Sequence, residues 1–111
     1  LEWTDSGPKY LGGTIPANLP ASAREHLIQL CHSIAWALQL EDGYVGIDMI
    51  FAEDEFLITD INPRLCTGYV GYRAATKHNL MTSMLQTSVG TSPAWQTRPL
   101  TFTCNGDVTT A

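Results

Sequence analysis

Asp48, Asp60 and Asn62 are the residues of this chain whose types and spacing point to chemistry. Two carboxylates and an amide carbonyl brought onto one face make an oxygen-rich site suited to a hard divalent cation such as Mg²⁺ or Mn²⁺. Magnesium in phosphate-handling sites takes one or two carboxylates and leaves its other positions to phosphate and water. Three oxygen donors would therefore suffice.

The element that brings them together is a β-hairpin over residues 44–62. Residues 44–51 and 56–62 are rich in Val, Ile, Phe, Tyr and Thr, and the acidic Glu53-Asp54-Glu55 between them is the turn. Centring the turn on Asp54 sets Ala52 opposite Phe56, Ile50 opposite Ile58 and Asp48 opposite Asp60. Asn62 follows two residues along on the side of Asp60. Val45, Ile47, Met49, Phe51, Leu57 and Ile61 share the other face, with Thr59 the one polar residue among them. Slipping the register by one residue would mix the two sets, so the apolar pattern selects this parity. Carboxylates facing each other across a ladder repel; a bound cation would offset that, whereas a solvent-facing sheet would merely tolerate it.

Asp60-Ile61-Asn62-Pro63-Arg64 decides between those two readings. Gly-x-Asp on one strand, followed by acid-x-Asn-Pro-Arg closing the next, resembles the metal-binding hairpin of the ATP-grasp ligases. Asp60 to Gly71, DINPRLCTGYVG, is most similar to the branch that includes the tyramine–glutamate ligases of methanofuran biosynthesis. The resemblance implies Asp48 and Asp60 as acidic metal ligands and Asn62 as the amide ligand. It places Asn62 and Arg64 beside the ATP phosphates, and gives Arg64 a catalytic role next to phosphate or acyl-phosphate. Where the family usually carries Glu, this chain has Asp60, one methylene shorter.

The similarity is strong over residues 43–72, weaker over 10–42 and 73–90, and absent beyond. It implies an α+β fold like the C-terminal subdomain of ATP-grasp. The implied activity is Mg-dependent ligation of a small carboxylate to an amine with ATP, through an acyl-phosphate. A nucleotide clamp with lysines and a glycine-rich lid would also be needed. Lys9 and Lys77 are the only lysines, and Gly12-Gly13 is too weak a signal for a phosphate loop. The expectation is that these residues alone are inactive and form part of a longer product, to which Leu1 in place of Met also points. The alternative is a non-catalytic domain that binds metal or nucleotide, or associates with itself.

Composition narrows the classes. At 111 residues, 44% hydrophobic and with mean hydropathy −0.03, the chain has the make-up of a globular protein with one modest core, a single domain over 1–111. A net charge of −5 with six scattered basic residues argues against nucleic acid as a partner. The absence of an apolar run or a leader-like start argues against a membrane and for the cytoplasm. Cys31, Cys66 and Cys104 match no zinc spacing and suit reduced thiols. Cys66 lies beside the acidic set, where a small pocket-lining residue is the better reading than a nucleophile, since the motif holds no His to activate it.

Periodicity supplies the scaffold. Residues 1–20 are turn-rich, with a short strand or loop around Tyr10–Ile15. A helix over about 21–40 carries the stripe Leu27, Leu30, Cys31, Ile34 and Leu38, which should pack on the apolar face of the hairpin. His26 and His32 fall on its polar sides. Thr67–Tyr72 is expected as a loop, and a second helix over about 72–87, bearing His78, should pack through Ala74, Ala75, Met81, Met84 and Leu85 and end at Val89-Gly90. Leu100–Cys104 reads as an edge strand added to the hairpin sheet, followed by a turn at Asn105-Gly106-Asp107 and preceded by Pro93 and Pro99. An open edge strand suggests a homodimer through Leu100–Cys104, with the exposed sides of the two helices as the second choice of contact, or association with the missing ATP-grasp portion.

Overall fold

A computed structural model describes residues 1–90 and 97–110; Pro93 lies outside them. The class is α+β, as expected, with antiparallel sheets and, among the described residues, three helices. The described chain falls into two compact units. Among the described residues, one comprises 1–18, 67–80 and 97–110, the other 19–66 and 81–90.

In the second unit, α1 (Ala21–Ala37) opens after Pro20, whose carbonyl accepts from Arg24 N at 3.0 Å. Ala23 and Ile34 are buried, and Leu27, Leu30 and Cys31 half-buried, so the predicted stripe is the inward one except for the exposed Leu38. The helix stops three residues short of Leu40, because Gln39 takes a left-handed φ of 53°. Leu40 N then donates to Ala35 O at 2.9 Å and Gln39 N to Trp36 O at 3.1 Å. This is a Schellman ending, with Gln at the position usually held by Gly.

The hairpin pairs β4 (Gly46–Ala52) with β5 (Glu55–Asn62). Asp48 faces Asp60 as predicted, but the outer half corrects the expected register. Met49 faces Ile58, Ile50 faces Leu57 and Phe51 faces Phe56, with a shift between Asp48 and Met49. Thr59 is the extra residue, so a β-bulge separates the two halves. Phe56 therefore joins the inward face, its ring 4.7 Å from that of Phe51, while Leu57, expected inside, is 64% exposed. The turn is Glu53-Asp54 rather than three residues. Both have positive φ, 53° and 62°, and left-handed backbone at both positions matches the strand twist even without glycine. His26 is exposed, as expected, and stands edge-on to Phe56 at 5.7 Å.

The first unit holds a small hairpin of β1 (Glu2–Thr4) and β2 (Gly7–Lys9), and a separate sheet of β3 (Gly12–Ile15), β6 (Leu100–Thr103) and β7 (Val108–Thr110). The order β3-β6-β7 corrects the edge-strand expectation: residues 100–103 form the central strand of their own sheet, hydrogen-bonded on both sides. A strand paired on both sides offers no template to a second chain, so the dimer contact expected at Leu100–Cys104 is not available. Asn105-Gly106-Asp107 is the β6–β7 turn, with Gly106 N donating to Thr103 O at 3.0 Å and Gly106 at φ 90°.

The expected second helix is two helices, α2 (Tyr69–Ala75) and α3 (Leu80–Ser88). Thr76 turns extended (φ −109°, ψ 149°), bridges to Thr97, and its hydroxyl accepts from His78 N at 3.1 Å. Arg98 N also takes up the Ala75 carbonyl at 2.9 Å, satisfying the helix end from outside. His78 lies exposed in the break. In α3, Leu80 and Ser83 are buried and Met84 half-buried, while Met81 and Leu85, expected inside, are exposed. The helix ends at Ser88, with Gly90 at φ 79°, as the Val89-Gly90 signal predicts. Residues 69–72, expected as loop, begin α2. Among the described residues no helix is long and apolar enough to cross a membrane.

Candidate functional site

The inner half of the hairpin carries the acidic set. Asp48 and Asp60 face each other in register and are both exposed, while Asn62, paired with Gly46, is only 9% exposed. Asn62 Nδ2 donates to Asp60 Oδ2 at 2.9 Å and, more loosely, to Asp48 Oδ2 at 3.4 Å. Asp60 Oδ1 accepts from Ile61 N at 2.9 Å. The amide thus bridges two like charges and offsets part of their repulsion. All three sequence-predicted ligands are brought together. The amide nitrogen, however, faces the carboxylates, so Asn62 would act as an oxygen ligand only after turning its amide over.

Strand β5 ends at Pro63. Arg64 N donates to Asn62 O at 2.8 Å, the i to i+2 bond of a γ-turn for which the proline ring fixes a suitable φ. The Arg64 guanidinium is exposed, and its Nη1 donates to Leu65 O at 3.3 Å, lying back along its own loop.

Sequence reasoning missed the roles of two residues. A Cβ on Gly46 would run into Cys66 Sγ, which donates to Arg64 O at 3.4 Å. Gly46 therefore lets the loop after Arg64 fold against the strand, and Cys66 is a packing residue there. Thr59 is the other: its hydroxyl donates to Asp48 O at 3.1 Å. The available signal was its being the lone polar residue on a face otherwise apolar.

All three cysteines are free thiols. Burial pushes the Cys31 thiol above its ordinary value. Because the thiolate is the reactive form, iodoacetamide at about pH 8 should alkylate the exposed Cys104 well before Cys31. Equal labelling rates by mass spectrometry would contradict the packing of α1. Cys31 and Ala35 there line a cleft of about 340 Å³ together with Val45, Ile47 and Thr87.

Among the described residues no group of three or more His, Cys, Asp and Glu could hold a metal. The donor set is two carboxylates and an amide, which fits a hard cation that completes its shell with water and phosphate, not one caged by protein alone. Residues 1–68 match the family model of the ATP-grasp domain. The chain belongs to the ATP-grasp family. No curated protein and no solved structure matches it. The matched span begins earlier than the sequence resemblance suggested. It contains the whole β4–β5 hairpin, with Asp48, Asp60 and Asn62, then Arg64 and Cys66, and ends at Gly68, before α2. ATP-grasp domains are ligase-type folds that use ATP with Mg²⁺ or Mn²⁺ on small-molecule substrates.

Proposed function

We propose that this chain carries the metal- and phosphate-binding hairpin of an ATP-dependent carboxylate–amine ligase of the tyramine–glutamate ligase-like branch. The observation that carries the reading is the in-register facing of Asp48 and Asp60 with Asn62 between them. Asp48 and Asp60 would hold Mg²⁺ or Mn²⁺, and Asn62, its amide turned over, would supply the third oxygen. There the cation would supply charge neutralisation for the ATP phosphates, easing the attack of a substrate carboxylate on the γ-phosphate with ADP as the leaving group. Arg64, leaving Leu65 O, would hold the acyl-phosphate oxygens while the amine attacks the acyl carbon and expels inorganic phosphate. Asn62 keeps the carboxylates close when no cation separates their charges. The lysines and glycine-rich lid that clamp and desolvate the phosphates have no counterpart in these 111 residues, so turnover requires that clamp to be supplied.

Mn²⁺ titration of the 111-residue chain, followed by water-proton relaxation, tests the reading. Asp60→Asn should weaken binding on the order of tenfold by removing one anionic ligand, and Asp60→Glu, which restores the usual family residue, should bind at least as well as the parent. Equal affinity in all three proteins would end the metal assignment.

A further inference from the structure

Phe56 and Ile61 both lie half-buried on the inward side of β5, yet they are five positions apart, an odd separation that a regular strand cannot place on one face. Between them Asp60 is exposed opposite Asp48. The register locates the parity change at Thr59, the residue left over between the pairs Met49–Ile58 and Asp48–Asp60. Thr59 is also the residue whose hydroxyl reaches across to the main-chain carbonyl of Asp48, at 3.1 Å. Bulges bend a strand, raise its local twist and re-aim the neighbouring side chain.

We propose that Thr59 is a positioning residue for the acidic set: its bulge turns the Asp60 carboxylate onto the face of Asp48, and its hydroxyl pins that arrangement through the Asp48 carbonyl. Without the bulge, a ladder continuing from the Phe51–Phe56 pair would set Thr59 opposite Asp48 and send Asp60 to the apolar face. The far half of the hairpin can then keep its aromatic pair while the near half keeps its carboxylates together. The Thr59 hydroxyl bonds to the Asp48 main chain, so it acts through the backbone rather than as a ligand. The consequence for cation binding rests on the metal reading above; the consequence for geometry does not.

Thr59→Val keeps the branched shape and removes the hydroxyl, and Thr59→Ser restores it. In the full 111-residue chain, nuclear Overhauser contacts between the Asn62 amide protons and the side chains of Asp48 and Asp60 should weaken in Thr59→Val and return in Thr59→Ser. The Phe51–Phe56 contact should persist in both. Mn²⁺ affinity should fall about tenfold in Thr59→Val and recover in Thr59→Ser, the scale usual for a group that orients a ligand. Unchanged Asn62 contacts in Thr59→Val overturn the proposal. Loss of the Phe51–Phe56 contact along with them also overturns it, since the hydroxyl would then hold the whole hairpin. Altered Asn62 contacts with a Mn²⁺ affinity that Asp60→Asn does not change would uphold the positioning and sink the metal reading instead.

Discussion

Replacing both Asp48 and Asp60 by asparagine should weaken Mn²⁺ binding on the order of a hundredfold while raising the thermal stability of the chain. Ligand charge count tunes such oxygen sites over decades of affinity, and the double variant removes both anionic ligands. The stability change has the opposite sign. Facing carboxylates on neighbouring strands are unfavourable, by roughly the 0.2–1 kcal/mol that cross-strand pairs are worth. The amide oxygens that replace them can still accept from Asn62 Nδ2, now bonded at 2.9 and 3.4 Å to the two carboxylates. A melting temperature a few degrees higher is expected in a chelator-treated sample. Stability given up to hold a functional set together is the usual trade. A double variant that melts lower than the parent would show that the pair contributes to folding, and a solvent-facing or structural reading would replace the metal site.

The Asp48–Asp60 pairing was legible because two departures cancel: the turn is one residue shorter than expected, and Thr59 adds that residue back before Asp60. Asp48, Asp60 and Asn62 lie inside the half of the hairpin where strict alternation holds, and the residues Asn-Pro-Arg close it with a turn that proline favours. The outer half was not legible by counting in twos. Thr59 inserts a residue, so the expected partners of Ile50 and Ala52 are each off by one, and Leu57 and Phe56 exchange faces. Left-handed Glu53 and Asp54 make a two-residue turn where glycine would have announced it, and left-handed Gln39 ends α1 for the same unannounced reason. Elsewhere the misreadings come from partners distant in sequence. Thr76 leaves the helix to bridge Thr97, and the alternation of Leu100 and Phe102 with Thr101 and Thr103 reveals a strand but not the strands beside it. Local pattern identifies the element; pairing is set by contacts that no window contains.

The largest effect on stability should follow Phe102→Ala. Phe102 is 4% exposed, and with Ala75 and the 1% exposed Leu100 it forms the core of its unit, against which Ile15 and Ala74 pack. Truncating a buried Phe costs about 3–5 kcal/mol, much of the roughly 5–15 kcal/mol that holds a small domain folded. Gly71, which read as part of a loop, explains why this ring fits: on α2 its missing Cβ is the space the Phe102 ring occupies, and an added methyl would also come 2.9 Å from Ile15 Cδ1. Gly71→Ala should therefore destabilise by about 1–3 kcal/mol through overpacking, even though alanine is intrinsically the better helix former by about 1 kcal/mol. The two sites share one space, so their effects should not add. Gly71→Ala combined with Phe102→Leu should be more stable than the sum of the single changes predicts, by 0.5 kcal/mol or more, about the coupling that contacting residues show. Urea denaturation of the four proteins, with amide exchange read at Gly13, Thr101 and Phe102, measures this. Strict additivity would mean that the ring and the glycine do not meet.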